Sequence, residues 1–294
     1  MPPLVSICIP TYNGARYLAE ALDSVKEQSY DPLEIVISDD ASTDDTLKII
    51  ENFKRHCKIP IRLYHHEPAG IGANWNHCIT KAEGTYIKFL FQDDVLLPDC
   101  VGRMVDILEA YPDVDMVACK RQIVYDPNYH SDEVANWIER FGDLQSHLKL
   151  NYNDGLCILD KSFFKHKAFL SSPLNKIGEP TTMLFRASCV NKIGYFREDL
   201  RQILDYEFCY RLLKESKIAL LEDTLVKFRL HDMQASSINK ANRSKVANEG
   251  YAQILYKDYL DYLDPYVKMH LLKKHHIIYK VMYAIKARII NFWK

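Results

Sequence analysis

Two pairs of adjacent aspartates, Asp39-Asp40 and Asp93-Asp94, each follow a short run of β-forming residues, Glu34 to Ser38 and Tyr86 to Phe91. One such pair after a strand reads readily as a turn or a helix cap, and Asp39-Asp40-Ala41-Ser42-Thr43-Asp44-Asp45 contains capping residues of that kind. Two pairs brought to one rim are another matter, because uncompensated carboxylates repel unless a cation or a hydrogen-bonding ligand sits among them. A divalent metal together with phosphate answers that repulsion, since hard cations take oxygen ligands from both.

The elements that would hold these acids follow from the hydrophobic periodicity. Val5 to Pro10 reads as a strand, and Tyr17, Leu18, Ala21, Leu22 and Val25 recur at helical spacing. Glu34 to Ser38 is the next strand, and Ser42 or Thr43 caps a helix carrying Leu47, Ile50 and Phe53. Strand Ile61 to Tyr64, a helix near Asn74 to Lys81, strand Tyr86 to Phe91, a helix from Pro98 and strand Met116 to Cys119 complete the series. Repeated β-α-β units predict an α/β fold with a parallel sheet between helices. Ligands of such sheets bind beyond the carboxyl ends of the strands, and polar residues do crowd there: Pro10-Thr11-Tyr12-Asn13, Asp39-Asp40 and Gln92-Asp93-Asp94.

From residue 121 the alternation fails. Residues 121–178 are rich in aromatics, Asp, Asn and His, with turn signals at Asp126-Pro127-Asn128 and Asn153-Asp154-Gly155 and helical pieces near 131–148 and 161–170. Residues 205–216 and 240–294 read as helical.

Composition narrows the function. The 294 residues are 48% hydrophobic and 26% charged, a globular balance, while ten glycines count against glycine-rich phosphate loops. Eight cysteines without a C-x-x-C pair encode neither a zinc ribbon nor a redox motif and read as reduced, mostly buried thiols. The opening residues lack the basic segment and long apolar stretch of a secretory signal, and no run approaches the ~18 apolar residues of a membrane span. The expectation is a cytoplasmic protein. Residues 1–264 hold 31 Lys/Arg against 39 Asp/Glu, a charge of −8, and seven Lys/Arg with no acid follow. An acidic body of this kind argues against nucleic-acid binding.

The residues also carry a resemblance. Val5-Ser-Ile-Cys-Ile-Pro-Thr-Tyr-Asn13, Tyr17-Leu18, Ser24-Val25, Gln28 and Glu34-Ile-Val-Ile-Ser-Asp-Asp-Ala-Ser-Thr-Asp-Asp-Thr46 resemble the opening of family 2 glycosyltransferases. The likeness runs on through Asn74, Ala82-Glu-Gly84 and Phe89-Leu-Phe-Gln-Asp-Asp-Val-Leu-Leu-Pro98, with islands at Gly178-Glu-Pro180, Arg186, Asp205 and His231 to Ser237. It implies a GT-A fold, Rossmann-like, with a mostly parallel sheet flanked by helices and a C-terminal helical extension. The expected divisions are 1–122 for the nucleotide-sugar half, 123–238 for the acceptor and catalytic-base half, and 239–294 for the extension.

The implied activity is inverting transfer of a sugar from a nucleotide diphosphate, usually UDP, to a saccharide or lipid-linked saccharide, assisted by Mn or Mg. Carried over by position, Pro10, Tyr12 and Asp40 surround the base, with Asn13 beside them and Asn74 on the nucleoside, while Asp39 is a structural neighbour. Asp94 takes the cation, Asp93 the ribose or a metal-bound water, and His231 the metal or the diphosphate, unless it is an ordinary loop histidine. Glu179 in its turn hydrogen-bonds sugar hydroxyls, and Trp137, Tyr152 and Phe163 are aromatic faces for a sugar or else core residues. The base expected to take the acceptor hydroxyl's proton is Asp205, at the start of a helix, with Glu207 as its competitor and a plain helix cap as the other reading. Two departures from the family pattern stand out: Phe91 and Leu204 replace acids.

Alternatives remain in view. A nucleotidyltransferase would open with a glycine-rich basic loop, where this chain has Pro-Thr-Tyr-Asn-Gly, and the Gly-Lys-Ser/Thr element of P-loop hydrolases is missing. A catalytically inactive sugar-nucleotide-binding or scaffold protein is the reading from another class. In the tail, Ile278, Met282, Ile285, Ile289 and Phe292 form a stripe, with Lys273, Lys280, Lys286 and Arg288 mostly off it and Trp293 at its end. Such a helix suits peripheral contact with the inner face of a membrane, or packing on its own domain or a second subunit.

Overall fold

The runs Val5–Thr11 (β1) and Leu33–Asp39 (β2) are buried along their whole length, as parallel strands covered on both faces must be. They belong to a computed structural model that describes residues 1–126, 129, 131–200, 202–232, 234, 250–279 and 281–282. The remaining strands are β3 (Ile61–His65), β4 (Tyr86–Phe89), β5 (Val95–Leu96), β6 (Val114–Tyr125), β7 (Leu156–Leu159), β8 (Met183–Arg186) and β9 (Lys217–Leu230). One sheet holds them in the order β3-β2-β1-β4-β8-β6-β9-β5, with β7 also paired to β9.

Strands β3, β2, β1 and β4 are parallel neighbours, and β6 runs parallel to β9. Strand β8 lies antiparallel between β4 and β6, and β5 and β7 pair antiparallel with β9. The expected mostly parallel sheet is present, and its three reversed strands fall outside the β-α-β series. A four-residue strand such as β8 has too little pattern of its own to announce its direction.

Among the described residues these α-helices accompany the sheet: α1 (Leu18–Lys26), α2 (Thr46–His56), α3 (Ile71–Lys81), α4 (Cys100–Ala110), α5 (Asp132–Phe141), α6 (Cys189–Ile193), α7 (Leu204–Glu215) and α8 (Pro265–His275). Residues of α1 and α4 join Val5, Ile7 and Ile9 in one apolar cluster. Residues of α3 and α7 join Cys8, Phe89 and Phe185 in another. Alternate side chains of β1 thus feed opposite faces of the sheet, the period-two consequence of the pleat.

Several boundaries differ from expectation. The helix expected to be capped by Ser42 or Thr43 starts at Thr46, after Asp45. The piece expected near 161–170 is two short 3₁₀ turns, Lys161–Lys165 and Lys167–Leu170. All eight cysteines are free, and seven of them are buried.

The extension is no detached appendage where it is described. Tyr251, Leu255, Tyr259, Leu263, Val267 and Leu271 sit in the same cluster as α7. Further on, Ile278 and Met282 of the apolar stripe are exposed; Lys280, Ile285, Lys286, Arg288, Ile289, Phe292 and Trp293 lie outside the described residues, as do Pro127, Asn128, Arg201 and Ala235 to Ser237. Among the described residues no helix is long and apolar enough to cross a membrane.

Gly84 shows how closely the sheet is built at its entry. Its N–H donates to Ser6 Oγ at 2.8 Å, and a Cβ there would lie 2.6 Å from Ser6 N and 2.8 Å from Leu4 O. Both are backbone atoms that cannot rotate away. Gly84→Ala is therefore expected to destabilise the fold by about 2 kcal/mol, read as a lower urea midpoint at unchanged slope.

Candidate active site

The carboxyl ends of β1 and β2 meet at Thr11 and Asp39, which face each other in register. Asp39 is sealed there: Thr11 Oγ1 donates to it at 2.7 Å, and Ser42 donates through its N–H at 2.9 Å and its hydroxyl at 2.6 Å. Fully buried and saturated with donors, Asp39 holds the rim together, the structural role expected of it. Asp40 meets His66, with 2.6 Å between Asp40 Oδ1 and His66 Nδ1. The His66 ring lies 5.0 Å from that of His77, whose Nδ1 is 2.8 Å from Ser38 Oγ. Burial and the neighbouring His66 push the His77 pKa down.

Tyr12, just past the end of β1, is 57% exposed. Its backbone is gripped by the Gln92 amide, which accepts from Tyr12 N at 2.9 Å and donates to Tyr12 O at 3.0 Å. That grip ties the β1 rim to the loop carrying Asp93 and Asp94. It also explains Gly14, where a Cβ would sit 2.2 Å from Gln92 Oε1. Pro10 lies past Cys8, the last β1 residue registered with β4, so its missing N–H takes no bond from that ladder. Asn13 takes a left-handed backbone, φ 47°, and its Oδ1 accepts from Thr43 N at 2.8 Å, which makes it a staple between two loops. Buried Asn74 on α3 sets its Nδ2 3.4 Å from Thr11 O, and its Oδ1 has no hydrogen-bond partner.

Asp93 and Asp94 divide their contacts. Asp93 Oδ2 is 2.9 Å from His231 Nε2, and its carbonyl accepts from Arg229 Nε at 3.0 Å. Asp94 is 1% exposed; its Oδ1 accepts from Arg229 N at 3.0 Å, while its Oδ2 is buried without a hydrogen-bond partner. Burial, then the charge of Asp93, drives the Asp94 pKa well up, and the Arg229 N–H opposes the rise. An unsatisfied carboxylate oxygen beside a second carboxylate is the arrangement that a hard cation relieves. Among the described residues no group of three or more His, Cys, Asp or Glu forms a complete metal cage. Two carboxylates with the remaining positions left to phosphate and water nevertheless fit the coordination habits of Mg²⁺ and Mn²⁺.

Phe91, at the place of a missing acid, packs its ring 5.1 Å from Trp75. Leu204, at the other such place, is buried in the same core cluster. Both departures exchange a charge for apolar packing.

Asp205 lies in the first turn of α7. Asn175 Nδ2 donates to its Oδ2 at 2.9 Å and to Gly178 O at 2.7 Å, while Asn175 Oδ1 accepts from the N–H groups of Ile177 and Gly178 at 3.0 Å each. One side chain thereby fixes both Asp205 and the turn that presents Glu179. Burial, with the Glu179 charge adding to it, pushes the Asp205 pKa up to about 7, against the N–H groups and Asn175. Glu179 is held by Arg121 at 2.9 Å through Oε1, and its Oε2 is buried without a partner. The Arg121 side chain, 4% exposed, also donates to Phe141 O at 2.9 Å and lies over the Phe228 ring. Glu207, two residues after Asp205, is buried and held by Arg211 through two contacts of 3.0 Å.

Glu179 and Asp205 open into one cleft of about 940 Å³, lined also by Trp137, Arg140, Tyr206, Tyr251 and α8 residues. Glu207 is not among its walls. Phe163 is a core residue, and of the three aromatics considered for a sugar face Trp137 is the one in this cleft. Of the residues that bind the site together, Gln92 showed in the sequence only as a polar residue at a strand end, while His66, Arg121, Asn175 and Arg229 were not singled out, because each acts across a long stretch of chain.

Residues 6–171 match Glycosyl transferase family 2. An uncharacterised glycosyltransferase of Rickettsia typhi is 28% identical over 257 residues, covering 87% of this chain and 73% of that one. Chondroitin synthase of Escherichia coli is 31% identical over 262 residues, 87% of this chain but 34% of the relative, so the chain spans about a third of that protein. Among solved structures, S. aureus TarS 1-349 in complex with UDP-GlcNAc gives a TM-score of 0.61 at 17% identity, covering 92% of this chain and 73% of that one. Mannosyltransferase PcManGT from Pyrobaculum calidifontis, in complex with GDP-Man and Mn2+, gives 0.58 at 17% identity, covering 98% and 81%. At these identities the two structures speak to fold, and that fold is GT-A.

Proposed function

The chain belongs to glycosyltransferase family 2, and from that membership we propose that it transfers a sugar, with inversion, from a nucleoside diphosphate donor of the UDP type to a saccharide or lipid-linked saccharide. The observation that carries this reading is the pairing of Asp205 and Glu179 in one cleft, with the Asp205 carboxyl held near neutrality.

A general base works best with a pKa close to the working pH. Asn175 holds Asp205 Oδ2 and so orients the carboxyl that takes the acceptor hydroxyl's proton. As that proton leaves, the hydroxyl oxygen bonds to the anomeric carbon from one face and the bond to the diphosphate oxygen breaks on the other. Glu179, pinned by Arg121, offers its unpartnered Oε2 to a sugar hydroxyl. Tyr12 offers an exposed ring for stacking on the base, and Asp40, held by His66, accepts from the base's ring N–H.

Asp93 and Asp94 are the residues that would hold Mn²⁺ or Mg²⁺, with His231 orienting Asp93. The ion, when bound, supplies positive charge against the departing diphosphate. The test is a panel of UDP-, GDP- and dTDP-sugars with Mn²⁺, followed for sugar release. Turnover of a UDP-sugar is the expected result; tight binding with no release in any acceptor mixture would return the protein to the scaffold reading.

A further inference from the structure

The cleft above Asp205 has an uneven distribution of charge. Its two acids, Asp205 and Glu179, interact with each other, and Arg121 already pairs with Glu179. Arg140, His270 and Lys274 line the same cleft from two elements distant in sequence. Arg140 stands in the last turn of α5, three residues after Trp137; Lys274 stands on α8, four residues after His270. Residues at these spacings share a helix face. The two helices therefore present an indole with a guanidinium, and an imidazole with an ammonium, to one space.

Among the described residues Arg140 donates to Ser172 Oγ at 3.0 Å and lies over the Phe141 ring, and neither it nor Lys274 has a carboxylate partner. Elsewhere among the described residues Lys48, Lys192, Lys217 and Lys268 each lie within 3 Å of a carboxylate, while exposed Lys54, Lys58 and Lys161 do not; what sets Arg140 and Lys274 apart is that they line the cleft. Trp137 is packed on one face by Phe228, parallel at 6.2 Å, and contributes to the cleft wall. An aromatic surface beside two unpaired cations suits a ring with apolar C–H faces and an attached anion.

We propose that the acceptor is an anionic saccharide, whose carboxylate or phosphate docks between Arg140 and Lys274 while a sugar ring lies along Trp137 and the attacking hydroxyl reaches Asp205. This rests on the glycosyltransferase reading. A neutral acceptor would leave Arg140 and Lys274 without a direct ion-pair partner in a cleft whose own acids, Asp205 and Glu179, are given to the reaction and to Arg121.

The test is calorimetric binding of three oligosaccharides of equal length to the full chain: one ending in a hexuronate, one in a sugar phosphate and one uncharged. The charged members are expected to bind about tenfold more tightly than the neutral one, equivalent to about 1.4 kcal/mol. The stronger of the two identifies the anion. In the Arg140→Gln/Lys274→Gln protein that ratio falls to about one, and Arg140→Glu/Lys274→Glu reverses it; both positions are exposed, so the fold is not at stake. Equal affinity of charged and neutral members in the wild type, including no measurable binding of either, overturns the inference, as does a charge preference that survives in the double variants. UDP and UDP-sugars are titrated into the same wild-type sample: failure there brings down the glycosyltransferase reading, whereas nucleotide binding with a charged-to-neutral ratio of one brings down only the anionic acceptor.

Discussion

Asp205→Asn lowers turnover by about 10²- to 10⁴-fold and leaves donor affinity unchanged, because the amide keeps the shape of the carboxyl but cannot take a proton. In the wild type, burial and the Glu179 charge hold the Asp205 carboxyl at about 7. Turnover should therefore rise with pH through a midpoint near neutrality as the base deprotonates. Asn175→Ala removes a donor that favours the ionised form and moves the midpoint upward.

Stability answers with the opposite sign. A carboxyl raised by folding keeps its proton in the folded state at pH values where the unfolded chain has lost it, so stability declines as pH rises from the usual carboxylate range to about 7 and is level above that. The variant has no such penalty. At pH 8 it should be more stable than the wild type by about 2 kcal/mol, a moderate figure for a side chain not wholly cut off from water, and the difference should vanish near pH 3. Thermal melts at the two pH values check this, and wild-type turnover in the variant would remove the base role from Asp205. Glu207 is a poor heir to it, since Arg211 holds both of its oxygens.

Asp94→Asn is expected to cost about 10²- to 10³-fold in metal-dependent turnover, the scale of removing one group that stabilises developing charge. Titrations of UDP with and without Mn²⁺ give an independent reading: the strengthening by the metal in the wild type should be lost in the variant. Because Asp94 Oδ2 is buried without a partner, the neutral amide should not lower the melting temperature in metal-free buffer, which separates a binding defect from a folding defect. Full activity in EDTA would overturn the assignment.

Much of this site was legible in the residues themselves. The strand ends carrying Pro10, Asp39-Asp40 and Asp93-Asp94 were visible because a buried parallel strand needs a continuous apolar run and the run ends where the chain meets solvent. Asp205 was singled out through the family resemblance, with its place at the start of a helix in support. Strand β9, which supplies the backbone donor to Asp94 and the guanidinium that grips the Asp93 carbonyl, was not. Its first half is an apolar run that suits helix and strand alike, and its pairing with β6 is irregular.

The chain's periodicity and local residue order determined that a mostly parallel sheet would carry acids on its carboxyl rim, because those features depend on neighbours a few residues apart. Tertiary structure alone decided which acids are spent and which are available: Asp39 closed off by Thr11 and Ser42 beside Asp40 turned to His66, and Glu207 taken by Arg211 beside Asp205 open to the cleft. The reason is geometric. Adjacent strand residues point to opposite faces, and residues two apart on a helix diverge by more than a right angle. Like carboxylates therefore meet unlike surroundings, and partners brought from far along the chain set whether each one is ionised, buried or free to react.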